Sequence, residues 1–333
     1  MTLHVVTPGL LTTVQDRGRR RQQHLGIPVS GAMDQAALRM ANLLAGNDLD
    51  AAALECTLMG PAVRFDEPTL VAITGGRCEP VVAGRPVPMW RAVLVPAHAD
   101  LRFGPMHGAG CRAYLAVAGG IETPLVLGSR STYLRAAFGG HEGRALRAGD
   151  ALPTGEVPAR ATAIAAALGN GAAGPAIANW SVSRELVPGY TKSPTVRFVA
   201  ESGDAAVEAC AKALAEQLFS IAAQSDRMGF RLDGEALHCA VPAERLSEGV
   251  AFGTIQLPPG GAPIVLMADR QTTGGYPRLG TVAAVDMPLV AQLAPGDHIR
   301  FTPISLDEAQ RLYLAREQDF TQAVTALSLR FHS

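Results

Sequence analysis

The chain has 333 residues, 48% of them hydrophobic, and 29 Lys and Arg balance 30 Asp and Glu for a formal net charge of -1. That length suggests about two domains, on a prior of roughly 150 residues each, with enough apolar material for ordinary cores. With no run of like charge, no apolar run of membrane-spanning length and no signal-like opening segment, nucleic-acid binding and membrane insertion are not expected, and a cytoplasmic location is.

The N-terminus, Met1-Thr2-Leu3-His4-Val5-Val6, enters a strand pattern at once. A helix is predicted over about Ala32 to Leu44, capped by Ser30, with Leu38, Ala41 and Leu44 on one face and Gly46-Asn47 ending it. Short apolar runs then predict strands at Val63 to Phe65, Thr69 to Thr74, Arg91 to Pro96, Asp100 to Phe103 and Cys111 to Val117. The Ala/Gly/Pro-rich stretch from Thr154 to Ala178 reads as a linker. Beyond it come a strand at Val196 to Val199, a helix over about Asp204 to Ala223 and a strand at Ile264 to Met267. A last helix opens at Ser305, whose spacing to Glu308 makes a capping box. Many short strands punctuated by Gly and Pro argue for barrels or sandwiches. The pattern Leu-x-x-Gly-Asp-x-apolar occurs at Leu146 to Leu152 and again at Leu293 to Ile299. It reads either as two independent strand-entry turns or as the mark of two related β units.

Positive charge is almost all arginine, because Lys192 and Lys212 are the only lysines. Biotin attachment needs a lysine in a Met-Lys-Met type turn, and a P-loop needs glycine before its lysine and a helix after it. Lys192 lies between Thr191 and Ser193-Pro194, and Lys212 between two alanines, so covalent biotin and a P-loop are both excluded. Cys56, Cys78, Cys111, Cys210 and Cys239 form no metal-ligand spacing and read as small buried hydrophobes in a reducing compartment. The histidines are dispersed and no Gly-x-Ser-x-Gly elbow is present, so neither a metal site nor a covalent serine is expected.

Three segments concentrate polar chemistry. In Asp269-Arg270-Gln271-Thr272-Thr273-Gly274-Gly275-Tyr276-Pro277, a carboxylate, a guanidinium, an amide and hydroxyls surround a Gly-Gly turn directly after a buried strand, which is a rigid base for a ligand loop. Gln15-Asp16-Arg17-Gly18-Arg19 follows the strand-like Leu10 to Val14 and reads either as a carboxylate or phosphate site or as an Asp16-Arg19 pair that pins a loop. His24, a few residues on, serves either as a general base or as a donor to a backbone carbonyl. Ser225-Asp226-Arg227-Met228-Gly229-Phe230-Arg231 alternates polar with apolar positions, so Arg227 and Arg231 are expected to point outward, as a solvated edge or as an interface with a partner.

These motifs, with Pro8 to Arg19, Gln23 to Asp34, Gly128-Ser129-Arg130-Ser131-Thr132, Gly139-Gly140, Glu142-Gly143-Arg144 and Gly253 to Pro258, resemble the family called allophanate hydrolase subunit 2 or the biotin-dependent carboxyltransferase domain. That family includes the C subunit of 5-oxoprolinase and the KipI antagonist, and the similarity spans roughly residues 3 to 305. The resemblance implies a mainly β fold with a few helices and two cyclophilin-like β-barrel subdomains. The expected layout is an N-terminal subdomain with linker over 1–178, a C-terminal subdomain over 179–305 and a helix over 306–333. Because the chain ends after that helix, a stand-alone subunit is expected.

The resemblance further implies the C subunit of a bacterial ATP-dependent 5-oxoprolinase, opening the lactam of 5-oxoproline to glutamate. Its expected partners are a subunit-1-type protein (the KipI-like B subunit of 5-oxoprolinase) and the A subunit of the same enzyme. ATP with Mg2+ is expected at a site shared with the subunit-1-type partner. Asp269, Gln271, Thr272, Asp16 and His24 are the candidate catalytic residues. Gln15, Arg19, Thr273, Gly274, Gly275, Tyr276 and Arg227 are the candidate substrate- or nucleotide-binding residues. The alternatives are the carboxyltransferase module of a biotin-dependent urea or amide carboxylase and a non-catalytic regulatory binder of the KipI-antagonist type.

Overall fold

The computed structural model describes residues 1–169, 174–238 and 246–331. Contacts group the chain into two compact units: the first comprises Met1–Arg19, Ser30–Pro188 and Phe320–Ser333, the second Arg20–Val29 and Gly189–Asp319. The sequence-based layout gives each subdomain one stretch of chain, whereas neither compact unit is one stretch, and the helix Leu306–Arg330 begins in the second and ends in the first. The architecture is mainly β, with five α-helices among the described residues. No helix among the described residues is long and apolar enough to cross a membrane.

The first unit holds two antiparallel six-stranded sheets. One orders its strands Ala151–Pro153, Thr2–Thr7, Ala62–Phe65, Asp100–Arg102, Val81–Val82 and Arg85–Pro86. The other runs Ala176–Ile177, Ala92–Val95, Thr69–Gly75, Arg112–Val117, Ala53–Thr57 and Leu11–Gln15. Thr69–Gly75 reads as a continuous apolar run because both of its faces are covered. Val71 and Ile73 join the core with Leu3, Val14, Leu54, Phe65 and Leu115, while Leu70 and Ala72 pack with Ala37, Leu38 and Leu44 of the helix Gln35–Leu44.

That helix starts later than predicted. Its cap is Asp34, whose carboxylate accepts the Ala37 N–H at 2.9 Å, while Ser30 lies before it with φ at +55°. The stretch read as a linker contains a helix, Ala159–Leu168, whose Ala161 and Ile164 are buried in the core beside Leu44. Gly46 makes room for it, since a Cβ there would lie 2.5 Å from the Ala161 Cα. Phe320 and Leu327 of the C-terminal helix enter the same core, and the Arg39 guanidinium stacks 4.0 Å over the Phe320 ring.

The second unit is a closed seven-stranded barrel: Thr195–Ala200, Arg278–Val282, Thr254–Gln256, Ile264–Leu266, Gly229–Asp233, Phe219–Ile221 and His298–Pro303. The pairing of Thr195–Ala200 with His298–Pro303 is parallel and closes the ring. Phe198, Phe219, Phe230 and Phe301 are buried, and the Phe198 and Phe301 rings meet edge-on at 5.9 Å. The helix Ala205–Glu216, capped by Asp204, packs on the strands Arg278–Val282 and His298–Pro303. It stops well before Ala223, because Phe219 and Ile221 are buried on either side of half-exposed Ser220 in a two-residue period that belongs to a strand. At the last helix, Ser305 Oγ accepts the Glu308 N–H at 3.1 Å as predicted, but the Glu308 carboxylate turns to Arg311 at 2.7 Å.

The repeated Leu-x-x-Gly-Asp loops carry the same hydrogen bonds in both units. Gly149 N–H donates to the Val5 carbonyl and Val5 N–H to the Asp150 carbonyl, each at 2.8 Å; Gly296, Ile221 and Asp297 repeat both bonds at 2.8 Å. The Asp150 carboxylate accepts the Arg147 N–H at 2.7 Å, and that of Asp297 the Ala294 N–H at 2.9 Å. Both glycines are left-handed, with φ of +90° and +87°. Shared backbone bonding at this level favours the two-related-units reading over independent turns.

Cys56, Cys78 and Cys111 are buried free thiols, and burial pushes Cys78 up to about 12 and raises Cys56 as well. One departure from the sequence reading stands out: Cys210 is disulfide-bonded. The Cys111 sulfur accepts a hydrogen bond from Arg112 at 2.9 Å. Cys239 lies outside the described residues.

Candidate functional site

In the second unit the strand Ile264–Leu266 pairs with Gly229–Asp233, and the pairing continues past their ends. Met267 N–H donates to the Met228 carbonyl at 2.9 Å and Asp269 N–H to the Arg227 carbonyl at 2.7 Å. This register brings together two side chains 42 residues apart: Arg227 Nε meets Asp269 Oδ2 at 2.9 Å, and Arg227 Nη2 meets Oδ1 at 3.1 Å. Both residues are buried. Parallel bonds of this kind fix a carboxylate in orientation as well as position. Arg227 therefore does not point outward as predicted; Arg231 does, as one of two exposed residues of its strand, with Asp233. The reason is that Arg227 precedes the strand, in a turn where Asp226 accepts the Met228 N–H at 2.8 Å.

The loop rooted on that pair rises toward solvent. Gln271 and Thr272 are half-buried, Thr273 and Tyr276 exposed. Thr273–Gly274 pairs with Glu248–Gly249, and the Thr272 carbonyl accepts the Val250 N–H at 3.0 Å. Gly274 is needed for space, because a Cβ there would sit 2.5 Å from Gln256 Nε2. Gln256 is buried beneath the loop and its amide faces the Tyr276 carbonyl at 3.5 Å. Sequence reasoning did not select Gln256; an amide interrupting the apolar strand Thr254–Gln256 was the available signal. It also passed over Arg270, which is only 8% exposed. Arg270 reaches the Val250 and Met267 carbonyls at 3.4 Å each and lies 5.9 Å from the Phe252 ring. Burial pushes its pKa down to about 10.

In the first unit Asp16 is a hub. Its carboxylate accepts the Gly18 N–H at 2.7 Å, the Ser129 hydroxyl at 2.6 Å and the Arg130 N–H at 2.6 Å, and also the Ser131 hydroxyl. Arg19 is fully buried, donates to the Ser131 carbonyl and stacks 4.7 Å from the Phe138 ring centroid. Gly139, at φ +71°, leaves the room: a Cβ there would collide first with the Ser131 carbonyl oxygen and then with Arg19 Nη2. The Gln15 amide donates to Thr13 Oγ1 at 3.0 Å and to the Thr132 carbonyl at 3.2 Å. Gln15, Asp16 and Arg19 thus clamp the segment 129–139, each through bonds of its own to that segment. Ser129 and Ser131 complete this hub, although the sequence reading placed them only in a motif. His24 belongs to the second unit and is exposed on the short 3-10 turn Gln23–Leu25.

A family model described as the carboxyltransferase domain, subdomain A and B, matches residues 25–303. The C subunit of Escherichia coli 5-oxoprolinase is 39% identical over 334 residues, covering 99% of each chain. Its Haemophilus influenzae counterpart of the same name is 36% identical, covering 90% of each. Among solved structures, K. lactis urea amidolyase superposes with a TM-score of 0.84 at 27% identity, over 97% of this chain. The match takes up 20% of that much longer protein.

Proposed function

We propose, from the premise that this chain belongs to the carboxyltransferase-domain family of subdomains A and B, that it is the C subunit of an ATP-dependent 5-oxoprolinase, working with the A and B subunits of that enzyme. The observation that carries this reading is coverage: the similarity to a protein named as the C subunit of 5-oxoprolinase takes in 99% of both chains. The reaction opens an unstrained lactam with water to give glutamate, at the expense of ATP.

The geometry supports different roles for the candidate residues. Asp269 and Arg227 occupy one another and act as positioning residues at the root of the loop. Gln271, Thr272, Thr273 and Tyr276 present an amide and hydroxyls from that loop, and Gly274 and Gly275 let its backbone approach a ligand. Asp16, Gln15 and Arg19 position the segment 129–139, while His24 has the exposure a proton-transfer group needs. ATP supplies the free energy for ring opening. ATP with Mg2+ is proposed at a site shared with the subunit-1-type partner, where the nucleotide phosphates and water supply most of the ligands of the cation.

The test reconstitutes the chain with its subunit-1-type and A-subunit partners and follows glutamate formation from 5-oxoproline with and without ATP. ATP-dependent glutamate that disappears when this chain is omitted is the expected result. A complex that assembles and stays inactive would shift the assignment to carboxyl transfer, tested with urea and carboxybiotin, or to regulation by binding.

A further inference from the structure

Arg270 is a buried cation that meets no carboxylate among the described residues. Among the described residues its hydrogen bonds are the two to the Val250 and Met267 carbonyls, both 3.4 Å long where N–H···O bonds usually measure about 3 Å. The neighbouring carboxylate, Asp269, has both oxygens taken by Arg227, and the other buried acid of this unit, Asp286, is held by Arg197. A guanidinium removed from water without an anion is costly, and an anion that pairs with it relieves that cost. Its guanidinium reaches the Val250 carbonyl, and the Val250 N–H donates to the Thr272 carbonyl of the polar loop, so an anion on Arg270 lies near that loop. The planar fork of a guanidinium matches the two oxygens of a carboxylate.

We propose that Arg270 is the receptor for a carboxylate and, resting on the function proposed above, that it takes the carboxylate of the lactam substrate. Arg270 then sets specificity: a lactam bearing a carboxylate is held, and the same ring without one is not.

The test titrates the full chain, in complex with its partner subunits, with 5-oxoproline, 2-pyrrolidinone and inorganic phosphate, using wild type, R270M and R270K. Wild type binds 5-oxoproline and not 2-pyrrolidinone. R270M weakens 5-oxoproline roughly 10- to 100-fold and R270K by less, because lysine keeps the charge and loses the fork. Formate gives a readout independent of the ring: against equal chloride it raises the Tm of wild type and leaves that of R270M unchanged. Wild-type 5-oxoproline affinity in R270M overturns the proposal, as does a loss confined to phosphate binding, which would make the anion a phosphoryl group. If 5-oxoproline binds nowhere while the formate difference persists, the oxoprolinase reading fails and the carboxylate site stands. R270M is expected to fold, since it removes an uncompensated charge; should it not, R270K carries the same comparison.

Discussion

Replacing Asp269 by Asn tests whether the Arg227-Asp269 pair holds the site or merely decorates it. The pair makes two bonds, of 2.9 and 3.1 Å, between residues that are 8% and 4% exposed. Asn offers one acceptor and no charge, so D269N strands the Arg227 guanidinium in a buried place already occupied by a second arginine. Losing one partner of a buried pair costs about 3–5 kcal/mol, whereas replacing both by apolar groups of similar size is often near neutral. D269N is therefore expected to lower the unfolding free energy by about 3–5 kcal/mol and the double variant R227M/D269L to recover most of it. Urea unfolding followed by circular dichroism gives the free energies. Hydrogen exchange over residues 225–233 and 264–276 localises the change. Both tryptophans, Trp90 and Trp180, lie in the first unit, so their fluorescence provides a separate probe there. A D269N variant within about 1 kcal/mol of wild type would refute the buried-pair reasoning, because neutralising one partner of a desolvated pair cannot be that cheap. If the recovered double variant also supports full turnover in the reconstituted complex, the pair has no part in the reaction.

The clamp on segment 129–139 predicts that G139A costs about 2–4 kcal/mol. G128A, with a similar φ of +79° but nothing within 4 Å of the added methyl, should cost only about 1 kcal/mol of backbone strain. Equal shifts in Tm for the two would remove the role given to the Ser131 and Arg19 contacts. Asp150, held at about 2 against an ordinary 3.8 by hydrogen bonds from Arg144, contributes stability that is present above about pH 4 and lost as pH falls toward 2. D150N should flatten the acid limb of the stability profile in that window, and an unchanged slope would contradict the pairing. Burial of Cys56 and Cys78 predicts no alkylation by iodoacetamide at pH 8 in the native protein and full labelling in urea, read by mass spectrometry. Native labelling at either position would show that the core opens there.

The strands were legible because a run such as Thr69 to Thr74 or Cys111 to Val117 is bounded by turn residues and too short for a buried helix. Helix limits were less so. Ser30 and Asp34 are both good caps, and choosing between them depends on a left-handed φ at Ser30 that composition does not reveal. The helix Ala159–Leu168 buries only Ala161 and Ile164, so its apolar periodicity was too faint to separate it from a linker. For the site, the polar loop after Met267 was visible as a segment, but its pairing with Arg227 depends on strand register across 42 residues. Asp16 and Arg19 were visible as a dense motif, and local spacing suggested that they meet. In the structure each binds segment 129–139, a partner more than 110 residues away that local spacing does not reveal. Arg270 was visible as the guanidinium of that loop, but its burial and its lack of an acid partner among the described residues are properties that only folding creates.

The interleaving of the two units sets the order in which a ribosome can complete them. Multidomain chains commonly fold one domain at a time from the N-terminus as they are made. Here the last strand of the first unit, Ala176–Ile177, is translated long before Phe320 and Leu327, which fill the core around Leu38, Leu44 and Ile164. A nascent first unit therefore carries an unfilled groove through the synthesis of the whole barrel, and the second unit draws on Arg20–Val29, made near the start. No single stop codon or cleavage releases either unit intact.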